Sequence, residues 1–305
     1  MKPRKIILLA GCAVLLCICI VQGISSASDK VKIFEFSDDP DEIVLEKPDG
    51  TLTLVKNGDE WLLGDKKYPA AGSAVDDMIN ALKSIKALDK VGSASSENAL
   101  TRYDLIEGKA TTATAKKGGK VLRSVTVGKD ATAGSQSYIT IDGGKDVYLA
   151  TGNLSGAFSK SVDELRSRAV LALDKTAISS VSITPADGTA WTLSRTGEGM
   201  DVNWNISGAE VDVDAEVAKT WVESLATFAA AKWHDENENL GGEKLVSAKI
   251  VCGGKNVSFD LYKIPSDSDE GSVVYYGNCS ETPYTFELAS YAAQKLLKKP
   301  EDLTK

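Results

Sequence analysis

Paired glycines between alternating apolar runs constrain this chain more than any other feature. Gly118-Gly119 separates Ala110–Ala115 from Val121–Val127, and Gly253-Gly254 separates Val246–Val251 from Val257–Lys263. A two-residue hairpin turn needs positive φ at its central positions, which glycine adopts without a Cβ clash. The phrase Gly118-Gly119-Lys120 returns as Gly253-Gly254-Lys255, 135 positions later. The Asp49-Gly50 turn returns as Asp187-Gly188, 138 positions later, and Trp204 follows the second of these hairpins as Trp61 follows the first. An interval this long is that of a duplicated domain, not of a solenoid.

Each copy reads as three strands, a helix, four strands and a closing helix. In the first copy, Ile43–Glu46 and Thr51–Lys56 flank a Pro48-Asp49-Gly50 turn, and Glu60–Leu63 continues the sheet. Ser73–Lys90 is a predicted helix, with Ser73 as N-cap, Asp76 three positions later, and Val75, Met78, Ile79, Leu82, Ile85 and Leu88 at helical spacing. Strands follow at Ala110–Ala115, Val121–Val127, Ser137–Ile141 and Asp146–Ala150, and Leu154–Leu171 is the closing helix. In the second copy, Asp214–Trp233 is the matching helix, with Asp212, Asp214 and Glu216 charging its N-terminus. Ala289–Lys298 closes that unit and Pro300 ends it. Sequential hairpins require antiparallel pairing, so the expected class is α+β: two tandem duplicated units, each mainly antiparallel strands with two helices, behind an N-terminal apolar helix. The expected divisions are 1–27, 28–173 and 174–305.

The N-terminus reads as an address. Lys2, Arg4 and Lys5 precede the apolar run Ile6–Ile24, whose 19 residues would span roughly 28 Å as a helix, close to the hydrocarbon thickness. Basic residues upstream predict an inside N-terminus and an exported body. Three readings stand: a single-pass anchor in the bacterial inner membrane, a signal peptide cleaved near Ser25-Ser26-Ala27 that leaves a secreted body, or a lipoprotein at Leu9-Ala10-Gly11-Cys12. All three export the body, and the anchored reading places it in the periplasm. Of the five cysteines, Cys12, Cys17 and Cys19 lie in the apolar run, which leaves Cys252 and Cys279 in the body. In an oxidising compartment these two are a candidate disulfide, against the alternative of two free thiols on strands about 9–10 Å apart.

Little in the sequence points to chemistry. The formal net charge of −8, with no basic stripe, argues against nucleic acid as a partner. There is no Walker loop, no dinucleotide-binding glycine pattern and no nucleophile elbow, so no catalytic, cofactor-binding or metal-ligating residue is assigned, and no cofactor. Asp267-Ser268-Asp269-Glu270-Gly271 imitates a calcium loop, but the twelfth position falls on Asn278 instead of glutamate. His234, the sole histidine, sits in Trp233-His234-Asp235-Glu236, where a surface ion pair competes with a catalytic role. Trp61, Trp191, Trp204 and Trp221 fall at repeat-equivalent or helix-stripe positions, which favours core over sugar stacking.

The order of short motifs resembles the bacterial domain-of-unknown-function 4340 family. The matching residues are the Asp49-Gly50 hairpin, Trp61 ahead of the helix, Tyr103-Asp104-Leu105, Gly128, Tyr138, Val147-Tyr148 and Leu165-Arg166-Ser167-Arg168. The resemblance covers most of 42–173 and, more faintly, the second copy. The family's usual pattern has glycine at Asp104 and aspartate at Ser167. The resemblance implies an N-terminal membrane segment and an auxiliary role beside ABC-type export systems of the gliding-motility kind; it brings no catalytic residues.

The expected function is therefore a non-enzymatic, exported, membrane-tethered accessory or interaction protein, with an ABC-type permease or another envelope protein as partner. Two alternatives remain: an envelope hydrolase using paired carboxylates, and a periplasmic module that binds a small ligand.

Overall fold

The computed structural model describes residues 31–132, 134–197, 202–266 and 272–305. The apolar run Ile6–Ile24 and the acidic loop Asp267–Gly271 lie outside the described residues. The chain divides into two compact units, Met1–Ser167 and Arg168–Lys305.

The first unit contains β1 (Lys32–Glu35), β2 (Glu42–Lys47), β3 (Gly50–Asn57), β4 (Glu60–Leu63), β5 (Tyr68–Pro69), helix α1 (Gly72–Lys83) and β6 (Ser84–Ser93). It continues with α2 (Glu97–Arg102), β7 (Thr111–Lys117), β8 (Lys120–Asp130), β9 (Gln136–Ile141), β10 (Asp146–Thr151), α3 (Leu154–Phe158) and α4 (Val162–Leu165). Its ten strands form one antiparallel sheet in the order β1-β6-β10-β9-β8-β7-β2-β3-β4-β5. Alternate residues face one side, so Ile43 and Leu45 on β2, Leu54 on β3 and Ala113 and Ala115 on β7 are buried together. Val75, Met78 and Leu82 of α1 and Phe158 of α3 cover that face.

The second unit contains β11 (Ala169–Ala172), β12 (Ile178–Pro185), β13 (Trp191–Thr196), β14 (Asn203–Ser207), helix α5 (Ala215–Ser224), β15 (Thr227–Ala229) and β16 (Lys232–Glu236). Next come β17 (Glu243–Cys252), β18 (Lys255–Pro265), β19 (Val273–Cys279), β20 (Thr282–Leu288), helix α6 (Ser290–Leu296) and a 3₁₀ turn, Pro300–Leu303. The sheet order is β14-β13-β12-β17-β18-β19-β20-β16, and β11 pairs with β15.

The two orders are the same plan. The series β6-β10-β9-β8-β7-β2-β3-β4 corresponds strand for strand to β16-β20-β19-β18-β17-β12-β13-β14. The lead-in strands also correspond. β1 pairs with the strand that follows helix α1, and β11 pairs with the strand that follows helix α5. The first unit adds β5 along β4 and the short helix α2. Both glycine pairs make the same turn, with φ of 56° and 77° at Gly118 and Gly119 and 55° and 80° at Gly253 and Gly254.

The α+β class is corrected by these strands. The described residues lie mostly in antiparallel strands grouped into three sheets, and the helices are few and short. The expected helices overran their true ends. After Lys83 the buried residues alternate, Ile85 and Ala87 in and Lys86 out, so this stretch is β6 and not the end of a helix. In the second unit α5 stops at Ser224, and Thr227–Glu236 supplies two strands. The closing helix of the first unit breaks into α3 and α4 and ends at Leu165; Ala169–Ala172 is a strand of the second unit. Ala71, not Ser73, occupies the N-cap of α1, without a side-chain hydrogen bond. The expected N-terminal apolar helix falls on residues outside the description, and among the described residues no helix is long and apolar enough to cross a membrane.

Two local devices hold the first unit's periphery. Arg123 of β8, 5% exposed, donates to the carbonyls of Phe34 (3.1 Å) and Glu35 (3.4 Å) on β1, with its guanidinium over the Phe36 ring. Its Nε lies 3.2 Å from Asp142 Oδ2, too far off line for a hydrogen bond. At the far end of β8, Tyr103 stacks on Tyr138 with ring centroids 4.2 Å apart, and Tyr103 O accepts the N–H of Lys129. Gly128 permits this approach, because a Cβ there would stand 2.1 Å from Tyr103 O.

Candidate functional site

The two body cysteines are free and buried. Each ends a strand at the same end of the β17-β18-β19 meander, but the register staggers them. Cys252 lies opposite Lys255 and Cys279 lies opposite Phe259, four residues further along β18. That offset is about 13 Å along the strand and about 9–10 Å across two strand spacings. A disulfide needs Cα atoms within about 7 Å, so the candidate bridge is not formed. Burial pushes the Cys279 thiol up to about 11, which keeps it protonated and unreactive. Cys252 Sγ donates to the Asp174 carbonyl at 3.4 Å.

His234 lies on β16 with a side chain 13% exposed. Its Nε2 meets Glu287 Oε1 of β20 at 2.8 Å, and its Nδ1 lies 3.6 Å from Glu238 Oε2. Lys232 approaches the same Glu287 oxygen at 3.4 Å. The imidazole is thus oriented by a hydrogen bond to one carboxylate, with a second carboxylate near Nδ1 beyond hydrogen-bond distance. Among the described residues no group of three or more His, Cys, Asp or Glu side chains could hold a metal ion. At the glycine turns, Lys255 pairs with Glu281 at 2.5 Å.

Trp191, Trp204 and Trp221 are buried in the second unit's core, and Trp191 and Trp221 pack with ring centroids 5.4 Å apart. Asp214 is the N-cap of α5 and accepts from the N–H groups of Glu216 and Val217. Trp221 Nε1 donates to the Lys295 carbonyl at 2.8 Å, and Lys295 Nζ donates to the Ser224 (2.9 Å) and Thr227 (3.3 Å) carbonyls. These bonds tie α6 to the end of α5, and burial lowers the Lys295 ammonium below its ordinary range. Between the helices runs a groove of about 530 Å³, with Val217, Trp221 and Leu303 along it and Tyr291, Gln294 and Lys298 at its sides. Tyr291, 75% exposed, is the most solvent-exposed large apolar side chain among the described residues.

Sequence reasoning placed the tryptophans in the core and the acids at the α5 N-terminus. It missed the groove, because spacing along the chain does not show how α6 and the 3₁₀ turn pack beside α5. A family model described as Domain of unknown function (DUF4340) matches residues 61–244, from β4 of the first unit into β17 of the second. No curated protein and no solved structure matches the chain.

Proposed function

The chain belongs to the DUF4340 family, and from that premise we propose that it is a non-enzymatic, exported protein, tethered to the bacterial inner membrane by its N-terminal segment, that serves as an accessory part of an ABC-type transport system. The observation that carries this reading is the state of His234: the residue best suited to acid–base work is hydrogen-bonded to Glu287, which Lys232 also approaches. The basic residues Lys2, Arg4 and Lys5 ahead of the apolar run support the tether, and the acidic body behind it supports a protein partner over nucleic acid. Tyr291 is the natural position from which to report contact.

The test is a photo-crosslinking amino acid at position 291 of the full chain, irradiated in intact cells, with the products recovered from detergent-solubilised membranes. The expected product is an adduct with a permease subunit, lost when the label moves to buried Leu296. Recovery of the full chain from the soluble fraction, or from membranes without any permease adduct, would overturn the reading.

A further inference from the structure

Four strands end the two large sheets: β1 and β5 in the first unit, β14 and β16 in the second. An edge strand offers a row of N–H and C=O groups to any other strand, and natural edges carry devices that prevent such pairing. Three of these four are so equipped. β1 carries Lys32 and Glu35, and Arg123 occupies its Phe34 and Glu35 carbonyls. β5 is two residues long and one of them is Pro69. β16 carries Lys232, Asp235 and Glu236, and its ladder with β20 is irregular between Trp233 and Glu236.

β14 has none of these devices. Asn203-Trp204-Asn205-Ile206-Ser207 contains no charge and no proline, and all its residues pair with β13 in an unbroken ladder. Among the described residues no strand lies along its other side, and no hydrogen bond reaches its backbone there. In the first unit the corresponding side of β4 is taken by the chain's own β5, with Leu62 opposite Pro69 and Leu63 opposite Tyr68.

The residue pattern of β14 selects a partner. Trp204 and Ile206 pack on the core side, while Asn203, Asn205 and Ser207 are exposed. Polar and apolar positions are therefore symmetric about Asn205. A second β14, laid antiparallel across a two-fold axis at Asn205, keeps both faces matched. Trp204 of each copy meets Ile206 of the other, Asn203 meets Ser207, and Asn205 meets Asn205. An aromatic opposite a β-branched residue is a favourable cross-strand pair, and Ile206 is only partly buried in its own unit. No like charges face each other on the strand, although the chain carries a formal charge of −8.

We propose that β14 is a self-association edge, pairing with β14 of a second copy of this chain through about four to six backbone hydrogen bonds. So short a strand makes a small interface, and the dimer is reversible, not obligate.

The experiment oxidises the full chain in detergent, at about 100 μM, with Asn205→Cys compared against Asn203→Cys and the unaltered chain. Across the axis the two positions 205 lie about 4.5–5.5 Å apart at Cα, within disulfide range. The two positions 203 are displaced by about 13 Å along the strand and lie outside it. Cys252 and Cys279 are buried, and the leader cysteines are common to all three proteins. The expected result is a disulfide-linked dimer above the unaltered level in Asn205→Cys alone. By sedimentation equilibrium the unaltered chain forms dimer as concentration rises, Asn205→Lys does not, and an equal mixture of Asn205→Lys and Asn205→Glu does. Equal linkage at 203 and 205, no linkage at 205, or undiminished dimer in Asn205→Lys would each overturn the proposal. So would oxidation in intact cells that joins position 205 to a different protein in place of a second copy. The sedimentation of the unaltered chain decides the matter even if a cysteine variant does not fold.

Discussion

Asp104 adopts φ of 55°, in the left-handed region that favours glycine. An aspartate there carries a conformational cost, beside an ion pair to Lys109 at 2.8 Å. A left-handed non-glycine residue costs about 1–2 kcal/mol, less for aspartate, and an exposed ion pair returns little. Asp104→Gly should raise stability by up to about 1 kcal/mol, read as a higher urea midpoint with unchanged slope. Gly128→Ala should do the reverse, because its Cβ would meet the backbone oxygen of Tyr103; a loss of about 2–3 kcal/mol is expected by the same measurement. At Cys279 the raised thiol sets a pH signature. The neutral form is favoured in the fold, so stability holds below the ordinary thiol value of about 9 and falls as pH climbs toward about 11, by up to about 2–3 kcal/mol. Cys279→Ala should remove that alkaline decline in denaturation curves taken at successive pH values. Native protein should resist thiol labelling at pH 8, and denatured protein should take label at both body cysteines without reductant. The stagger that separates these cysteines was invisible in the sequence, since strand alternation gives faces but not how far one strand slides along its neighbour.

The hairpins were legible because each carries two independent signals, a glycine pair and period-two alternation on both sides. The helix ends were not. Leu82 and Ile85 are three apart, which suits the next turn of a helix as well as the first buried position of a strand, so periodicity could not show the change at Ser84. The same error occurs in both copies, after α1 and after α5, because both use an apolar residue to cross from helix to strand. At α5 the start was legible, since Asp214 provides a capping carboxylate; Asp214→Ala should cost about 1 kcal/mol in chemical denaturation.

The matching strand orders make the molecule two copies of one plan, and the division falls before β11. Val170 and Leu171 of that strand are almost fully buried in the second unit. A fragment of residues 168–305 should therefore unfold cooperatively by itself. A fragment of 174–305, cut at the boundary the sequence suggested, loses both side chains, worth roughly 1.5–3 kcal/mol each, and should be markedly less stable or molten by near-ultraviolet circular dichroism. Equal midpoints for the two fragments would show that β11 is dispensable.

The Arg123 clamp has a mechanical corollary. It grips the backbone of β1 at Phe34 and Glu35, at the start of the first described strand. A pull on the chain ahead of β1 thus reaches two guanidinium bonds rooted in the middle of the sheet, so the load passes inward and the outermost strand resists being peeled away.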